Sequence, residues 1–267
     1  MVKSNLFQRV LTAIILIPIA LLLIFKGNEK VLFWIISIIC VGSYLEYCEI
    51  SSFKNNFDRI LGSLFVVLLF FIFVFYEHYF AMLLTFCFCF FLSYLLFRYG
   101  TEGFTVRAGQ QILAMLYFSL LLGFAMKLFF FEKGRIWIFL LMLVNWLTDS
   151  FAYFSGILFG KHLFSQISPK KTIEGLVGGM IGGIVAVIVV NVFLLKINQW
   201  FEMIALGILG SIIGQVGDLF ESGIKRSFGV KDSSTIIPGH GGFMDRFDSL
   251  FFTSPLFYFF VKFVFSG

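Results

Sequence analysis

The sequence predicts an all-α fold, a polytopic integral membrane helix bundle of about nine transmembrane helices with a cytoplasmic N-terminus. Three observations carry that expectation. Apolar residues make up 60% of the chain and charged residues only 13%, against about 25% charged in an average soluble domain. The apolar residues gather in runs of bilayer-spanning length. The basic residues are shared unequally between alternate connections.

Taken in order, apolar runs cover 6–25, 31–48, 60–76, 79–97, 109–126, 136–159, 175–195, 203–221 and 249–265. The first follows Lys3 and Arg9 as a signal peptide would, yet it is longer than such an apolar region and no small-residue cleavage site follows it, so it reads as a span. Glu77 and His78 alone separate the third and fourth runs, which must turn in a tight hairpin or form a partly re-entrant pair. With the N-terminus inside, seven of the 20 basic residues fall outside, namely Lys26, Lys30, Lys127, Lys133, Arg135, Lys196 and Lys262, and the other thirteen inside. That bias puts the C-terminus outside and the polar connections 160–174 and 222–248 on the cytoplasmic side. Residues 1–130 read as N-terminal membrane helices and 131–267 as C-terminal membrane helices that carry the site.

A net charge of +5 does not mark a nucleic-acid binder here, because the basic residues are scattered between apolar runs. Cys40, Cys48, Cys87 and Cys89 lie in apolar stretches without C-x-x-C spacing or paired histidines, and read as small hydrophobes. Glu49, Asp58 and Glu102 sit at span ends, where an anchoring charge is ordinary. Glu46 differs, since it lies inside its span.

Polar residues become dense after residue 144. Asn145, Asp149 and Tyr153 are spaced by four and share one helical face. Ser168 and Pro169 look like a helix start, with Lys170 and Lys171 where backbone N–H groups are unpaired and with glycines 175, 178 and 179 permitting close approach. That segment suits phosphate, and equally an interfacial anchor on a glycine-packed helix. Gln215, Asp218, Glu221, Ser222 and Lys225 then form a polar stripe at steps of three or four on an apolar helix. An uncompensated charge near the middle of a membrane helix costs on the order of 3 kcal/mol, so the stripe must face a partner charge, a metal or water. After the turn PGHGG, Pro238–Gly242, Asp245 and Asp248 stand three apart at the start of the last helix. Asp149, Asp218, Asp245 and Asp248 can converge with Lys170, Lys171, Lys225, Arg226, Lys231 and Arg246 at one cavity, where mixed signs point either to a metal with phosphates or to internal salt bridges.

The stretch SGIKRSFGVKDSSTIIPGHGGFMDRFD, Ser222–Asp248, resembles the signature of the phosphatidate cytidylyltransferases (CDP-diacylglycerol synthases), and DSFAYFSGILFGK and SPKKTIEG resemble a second region of that family. The resemblance covers about residues 145–250, while the first 130 residues match only as membrane spans. It implies an enzyme that joins CTP and phosphatidate into CDP-diacylglycerol and pyrophosphate with Mg2+, a second, monovalent cation being left open. It makes Asp218 and Asp245 metal and catalytic carboxylates, with Asp149 and Asp248 as further metal ligands and Lys225 as a catalytic cation. Ser168, Lys170, Lys171, Ser222, Arg226, Lys231, His240 and Arg246 become substrate contacts, His240 for orientation or the leaving group rather than for proton abstraction. The implied partners are CTP, phosphatidate and membrane lipids, without nucleic acid, and a homodimer stays open. The implied location is a bacterial inner membrane with the site facing the cytoplasm.

Two other classes compete. A membrane transferase acting with CTP on a polyprenol is disfavoured by the signature, and the D-G-x-x-A-R pattern of CDP-alcohol phosphotransferases is missing. A transporter with intramembrane carboxylates predicts two related halves, and none is visible in the sequence.

Overall fold

The computed structural model describes residues 2–51, 53–236 and 241–265, with side chains described from residue 14 onward. Its helices are α1 (Val2–Lys26), α2 (Glu29–Ile50), α3 (Asn56–Phe75), α4 (Glu77–Tyr99), α5 (Phe104–Leu128), α6 (Gly134–Phe159), α7 (Ile173–Val190), α8 (Trp200–Ser227) and α9 (Phe243–Phe260). α7 and α9 each end in a π-helical turn, Asn191–Leu195 and Val261–Phe265. Every expected apolar run falls within one helix to within a residue. Eight described helices are long and apolar enough to cross a membrane, and the described part of α1, Ile14–Lys26, is a shorter apolar helix. The chain is an all-α membrane bundle.

Local chemistry sets the helix starts. Asn28 and Asn55 accept from Val31 N and Phe57 N at 2.9 Å each, supplying donors at the first turns of α2 and α3 with an acceptor. α3 and α4 are separated by Tyr76 alone, which makes their junction a tight hairpin. One expectation is corrected. Ser168 and Pro169 do not begin a helix: Lys171 N donates to Ser168 O at 3.0 Å, and α7 starts only at Ile173 under the N-cap Thr172, whose hydroxyl accepts from Gly175 N. The reason is pairing further back. Leu163 bridges Thr172, with Phe164 N on Lys171 O at 2.8 Å and Ile173 N on His162 O at 2.9 Å, so residues 163–172 close as a loop before the helix begins.

Two apolar cores build the bundle. One gathers α2, α3, α4 and α5 around Tyr44, Phe70, Phe91 and Phe118, and also takes in Ile224, Met244 and Phe251 from α8 and α9. The other gathers α6, α7, α8 and α9 around Leu140, Val187, Leu206 and Phe257. α9 packs on α2, α5 and α8 and so joins the two cores. The closest approach is among α6, α7 and α8, where a Cβ on Gly182 would stand 2.5 Å from Leu147 O and one on Gly207 2.8 Å from Gly183 O. Only glycine permits such backbone contact, and here it serves packing within one chain. This draws the C-terminal half of α6 and the start of α7 onto α8.

Large apolar side chains such as Trp34, Leu64, Phe86, Phe97 and Phe201 face outward, as lipid contact requires. Because the helices alternate in direction, the C-terminal ends of α2, α4, α6 and α8 and the N-terminal ends of α3, α5, α7 and α9 lie at one end of the bundle. At the opposite end Phe25, Phe129, Lys133, Arg135 and Leu194 line an open cavity of about 450 Å³ that contains no carboxylate.

Candidate active site

The polar stripe on α8 meets α7 and α9 through two lysines. Lys171, just before the cap of α7, places Nζ 2.6 Å from Asp218 Oδ2 and 3.4 Å from Gln215 O. Lys225 bridges α8 and α9, with Nζ 2.7 Å from Glu221 Oε2 and 2.5 Å from Asp245 Oδ1. Ser222 Oγ donates to Asp218 Oδ1 at 3.4 Å. Spacing of three and four along a helix puts these groups on one face, as read from the sequence.

Asp245 is a node. Its Oδ2 accepts from Gly242 N at 2.9 Å, Ser233 N at 3.1 Å and Ser233 Oγ at 2.8 Å, which caps α9 and pins the preceding loop. Gly241 has φ +81°, in the left-handed region, and a Cβ there would stand 2.6 Å from Asp245 Oδ2, so glycine is needed on both counts. Among the described residues Oδ1 meets only Lys225, leaving acceptor capacity on that oxygen.

The other carboxylates have far fewer donors. Asp149, on the exposed face of α6, accepts no hydrogen bond from the described residues, and Asp218, Lys171 and Arg246 act on it electrostatically. Among the described residues Asp248 accepts only Ser249 N, at 2.6 Å, and Asp218, Glu221 and Asp149, all of like charge, act on it electrostatically. Glu221 is wholly buried. Its contact with Lys225 has the distance of an ion pair, but neither oxygen has a donor in hydrogen-bond geometry among the described residues.

The structure therefore brings together Asp149, Lys171, Asp218, Ser222, Lys225, Asp245 and Asp248, with exposed Arg246 close enough to act electrostatically on Asp149. Ser168 is half-buried in the loop before α7. Lys170 and Lys231 are exposed and form no hydrogen bond or ion pair among the described residues, and Arg226 is exposed with Nη1 on Val230 O at 2.7 Å. His240 lies outside the described residues. Of the helical face expected on α6, Asn145 is structural, donating to Thr253 Oγ1 of α9 at 3.0 Å, and Tyr153 points outward.

Two further carboxylates stand at the site beyond those the sequence singles out. Glu221 belonged to the stripe but carried no assigned role. Glu46 of α2, 1% exposed, accepts from Ser233 Oγ at 2.8 Å, Ser234 Oγ at 2.7 Å, Phe243 N at 2.8 Å and Met244 N at 2.9 Å. A lone carboxylate inside an apolar span was the available signal.

Hard oxygen donors at this site suit a hard divalent cation, and the orphaned oxygens of Glu221 and the donor-poor Asp149 and Asp248 are the acceptors such an ion requires. Among the described residues no three His, Cys, Asp or Glu side chains are grouped closely enough to hold an ion by themselves. Mg2+ usually takes one or two carboxylates and completes its shell with water and substrate phosphates, so the donor set fits it in chemistry.

The profile of the cytidylyltransferase family matches residues 7–264. Among similar proteins, the phosphatidate cytidylyltransferase of Staphylococcus haemolyticus (strain JCSC1435) is 51% identical over 127 residues, covering 47% of this chain and 48% of that protein. The protein of the same name from Staphylococcus epidermidis (strain ATCC 12228 / FDA PCI 1200) is 48% identical over 134 residues, 48% of this chain and 51% of the relative. That from Staphylococcus aureus (strain COL) is 46% identical over the same length and shares. The chain spans about half the length of the curated relatives it matches.

Proposed function

The chain belongs to the cytidylyltransferase family, and from that premise we propose that it transfers a cytidylyl group from CTP to phosphatidate, giving CDP-diacylglycerol and pyrophosphate in phospholipid biosynthesis. The observation that carries this reading is the meeting of donor-poor carboxylates with Lys171, Lys225 and Arg246 at one end of a membrane bundle. Mixed charge of this kind serves a reaction between two anions.

A phosphate monoester has a second pKa of about 6, so phosphatidate arrives largely dianionic and needs no general base. One of its oxygens attacks the α-phosphorus of CTP, the new P–O bond forms, and the bond to the β-phosphate breaks to release pyrophosphate. Repulsion between the anions is the obstacle. Lys170, Lys231, Arg226 and Arg246, exposed at the same end, bind phosphate oxygens, and Lys171 and Lys225 hold the carboxylate face in register. Asp149, Asp218 and Asp248, with Oδ1 of Asp245, would hold Mg2+, which supplies charge neutralisation on the phosphates when bound. Ser168, Ser222 and His240 belong to the substrate contacts of the same reading. The site faces the cytoplasm of a bacterial cell, where CTP is available, in keeping with the excess of basic residues at that end.

The deciding experiment incubates the full chain with CTP and Mg2+ and either phosphatidate or a polyprenol. CDP-lipid from phosphatidate alone, lost on chelation, is the expected outcome. No CDP-diacylglycerol in that reaction refutes the substrate.

A further inference from the structure

Glu46 stands some 190 residues away in sequence from everything it binds. Its carboxylate takes four donors, Ser233 Oγ, Ser234 Oγ, Phe243 N and Met244 N, all from the loop that leads into α9 or from the first turn of α9 itself. Two glycines make room for it. A Cβ on Gly242 would collide with the Glu46 carboxylate, and one on Gly42, a turn earlier in α2, would stand 2.7 Å from the ring of Phe243. Ser233 Oγ lies 2.8 Å from both Glu46 Oε2 and Asp245 Oδ2, so one hydroxyl hydrogen is shared by carboxylates from two helices.

We propose that Glu46 is a positioning residue for the reaction: it fixes the N-terminus of α9, and with it the directions of Asp245, Arg246 and Asp248, from a helix that contributes nothing else to the site. The physical grounds are charge and reach. A carboxylate at a helix N-terminus is held by unpaired N–H groups and the helix dipole together, and hydrogen bonds to a charged acceptor are stronger and shorter than neutral ones. At the first turn of α9, Lys225 ties the side facing α8 and Glu46 the side facing α2. Asp245, three residues into the helix, cannot turn without breaking one of them. The first half of the chain thereby acts on the chemistry rather than only surrounding it. This inference rests on the cytidylyltransferase reading of the site.

The test compares Glu46→Gln, Glu46→Asp and Asp58→Asn in the full chain, with rates normalised to folded protein and measured against CTP and Mg2+. Asp58 is the control, a buried carboxylate of the same half whose partners Tyr94, Arg98 and Tyr99 all lie on α4. Glu46→Gln should lower kcat roughly 10- to 100-fold, the loss usual when a group that orients a ligand is altered, and raise the Mg2+ concentration needed. Glu46→Asp, which keeps the charge and loses the reach, should lose activity as well, while Asp58→Asn keeps the wild-type kcat. Wild-type kcat and KM in folded Glu46→Gln would overturn the proposal. If Glu46→Gln fails to fold, Ser234→Ala carries the test through the loss of one donor: a several-fold fall in kcat, the equivalent of about one hydrogen bond, supports the proposal and unchanged kinetics sink it. Should the wild-type chain make no CDP-lipid, the substrate reading fails separately, and hydrogen exchange decides the positioning. Faster exchange of the Phe243 and Met244 amides in Glu46→Gln but not in Asp58→Asn supports it, and equal exchange in both overturns it.

Discussion

Asp58 and Asp248 are both carboxylates near the same end of the bundle, and their surroundings differ in kind. Asp58, 3% exposed, receives the hydroxyls of Tyr94 and Tyr99 and the guanidinium of Arg98 at 3.5 Å. Asp248 receives one backbone N–H from the described residues and feels three carboxylates of like charge. A charge kept for architecture is given partners, because an unpaired one opposes folding; a charge left without them is held for something that arrives later. The same contrast divides the molecule. In α2–α5 the buried carboxylates are satisfied, whereas on the face shared by α6, α8 and the start of α9 Asp149, Glu221 and Asp248 find few or no donors among the described residues, beside Asp218 and Asp245, which Lys171 and Lys225 pair. Glu46 is satisfied, yet its partners belong to the second region, which makes it the link between the two.

The comparison can be broken by substitution. Asp218→Asn removes the carboxylate that Lys171 pairs on the site face and should reduce CTP-dependent turnover by at least roughly 100-fold with the melting transition retained, as loss of a group acting on transition-state charge does. Turnover close to wild type in this variant would remove Asp218 from the site. Asp58→Asn should do the reverse, lowering stability by about 1–3 kcal/mol in chemical unfolding while kcat per folded molecule stays the same. Asp248→Asn sharpens the contrast most directly. Relief of like-charge repulsion should raise the melting temperature of the metal-free protein slightly, and the stabilisation that Mg2+ gives the wild type should shrink. That stabilisation amounts to about 2.7 kcal/mol at a hundredfold excess over Kd. A metal-free protein destabilised by Asp248→Asn would mean that Asp248 has structural partners after all.

Much of this was legible in the sequence, for identifiable reasons. Apolar length is a local property and marked each span, including the hairpin at Tyr76. The period of α8 aligned Asp218, Glu221, Ser222 and Lys225 before any neighbour was known, and the motif from Ser222 to Asp248 carried the family. The start of α7 departs from the sequence expectation because Ser-Pro is a helix-start signal that a bridge between Leu163 and Thr172 overrides. Asp58 read as an interfacial anchor because its tyrosine partners on α4 lie some 40 residues further on.

By itself the sequence marked where the apolar helices run and which residue types share a helical face, since hydropathy and helical period need no more than the chain's own order. Only the tertiary structure decided which carboxylates find donors. Glu46 meets Phe243 across 197 positions, and Lys225 chooses Asp245 across 20, because hydrogen-bond satisfaction depends on what neighbouring helices present. No local pattern encodes that.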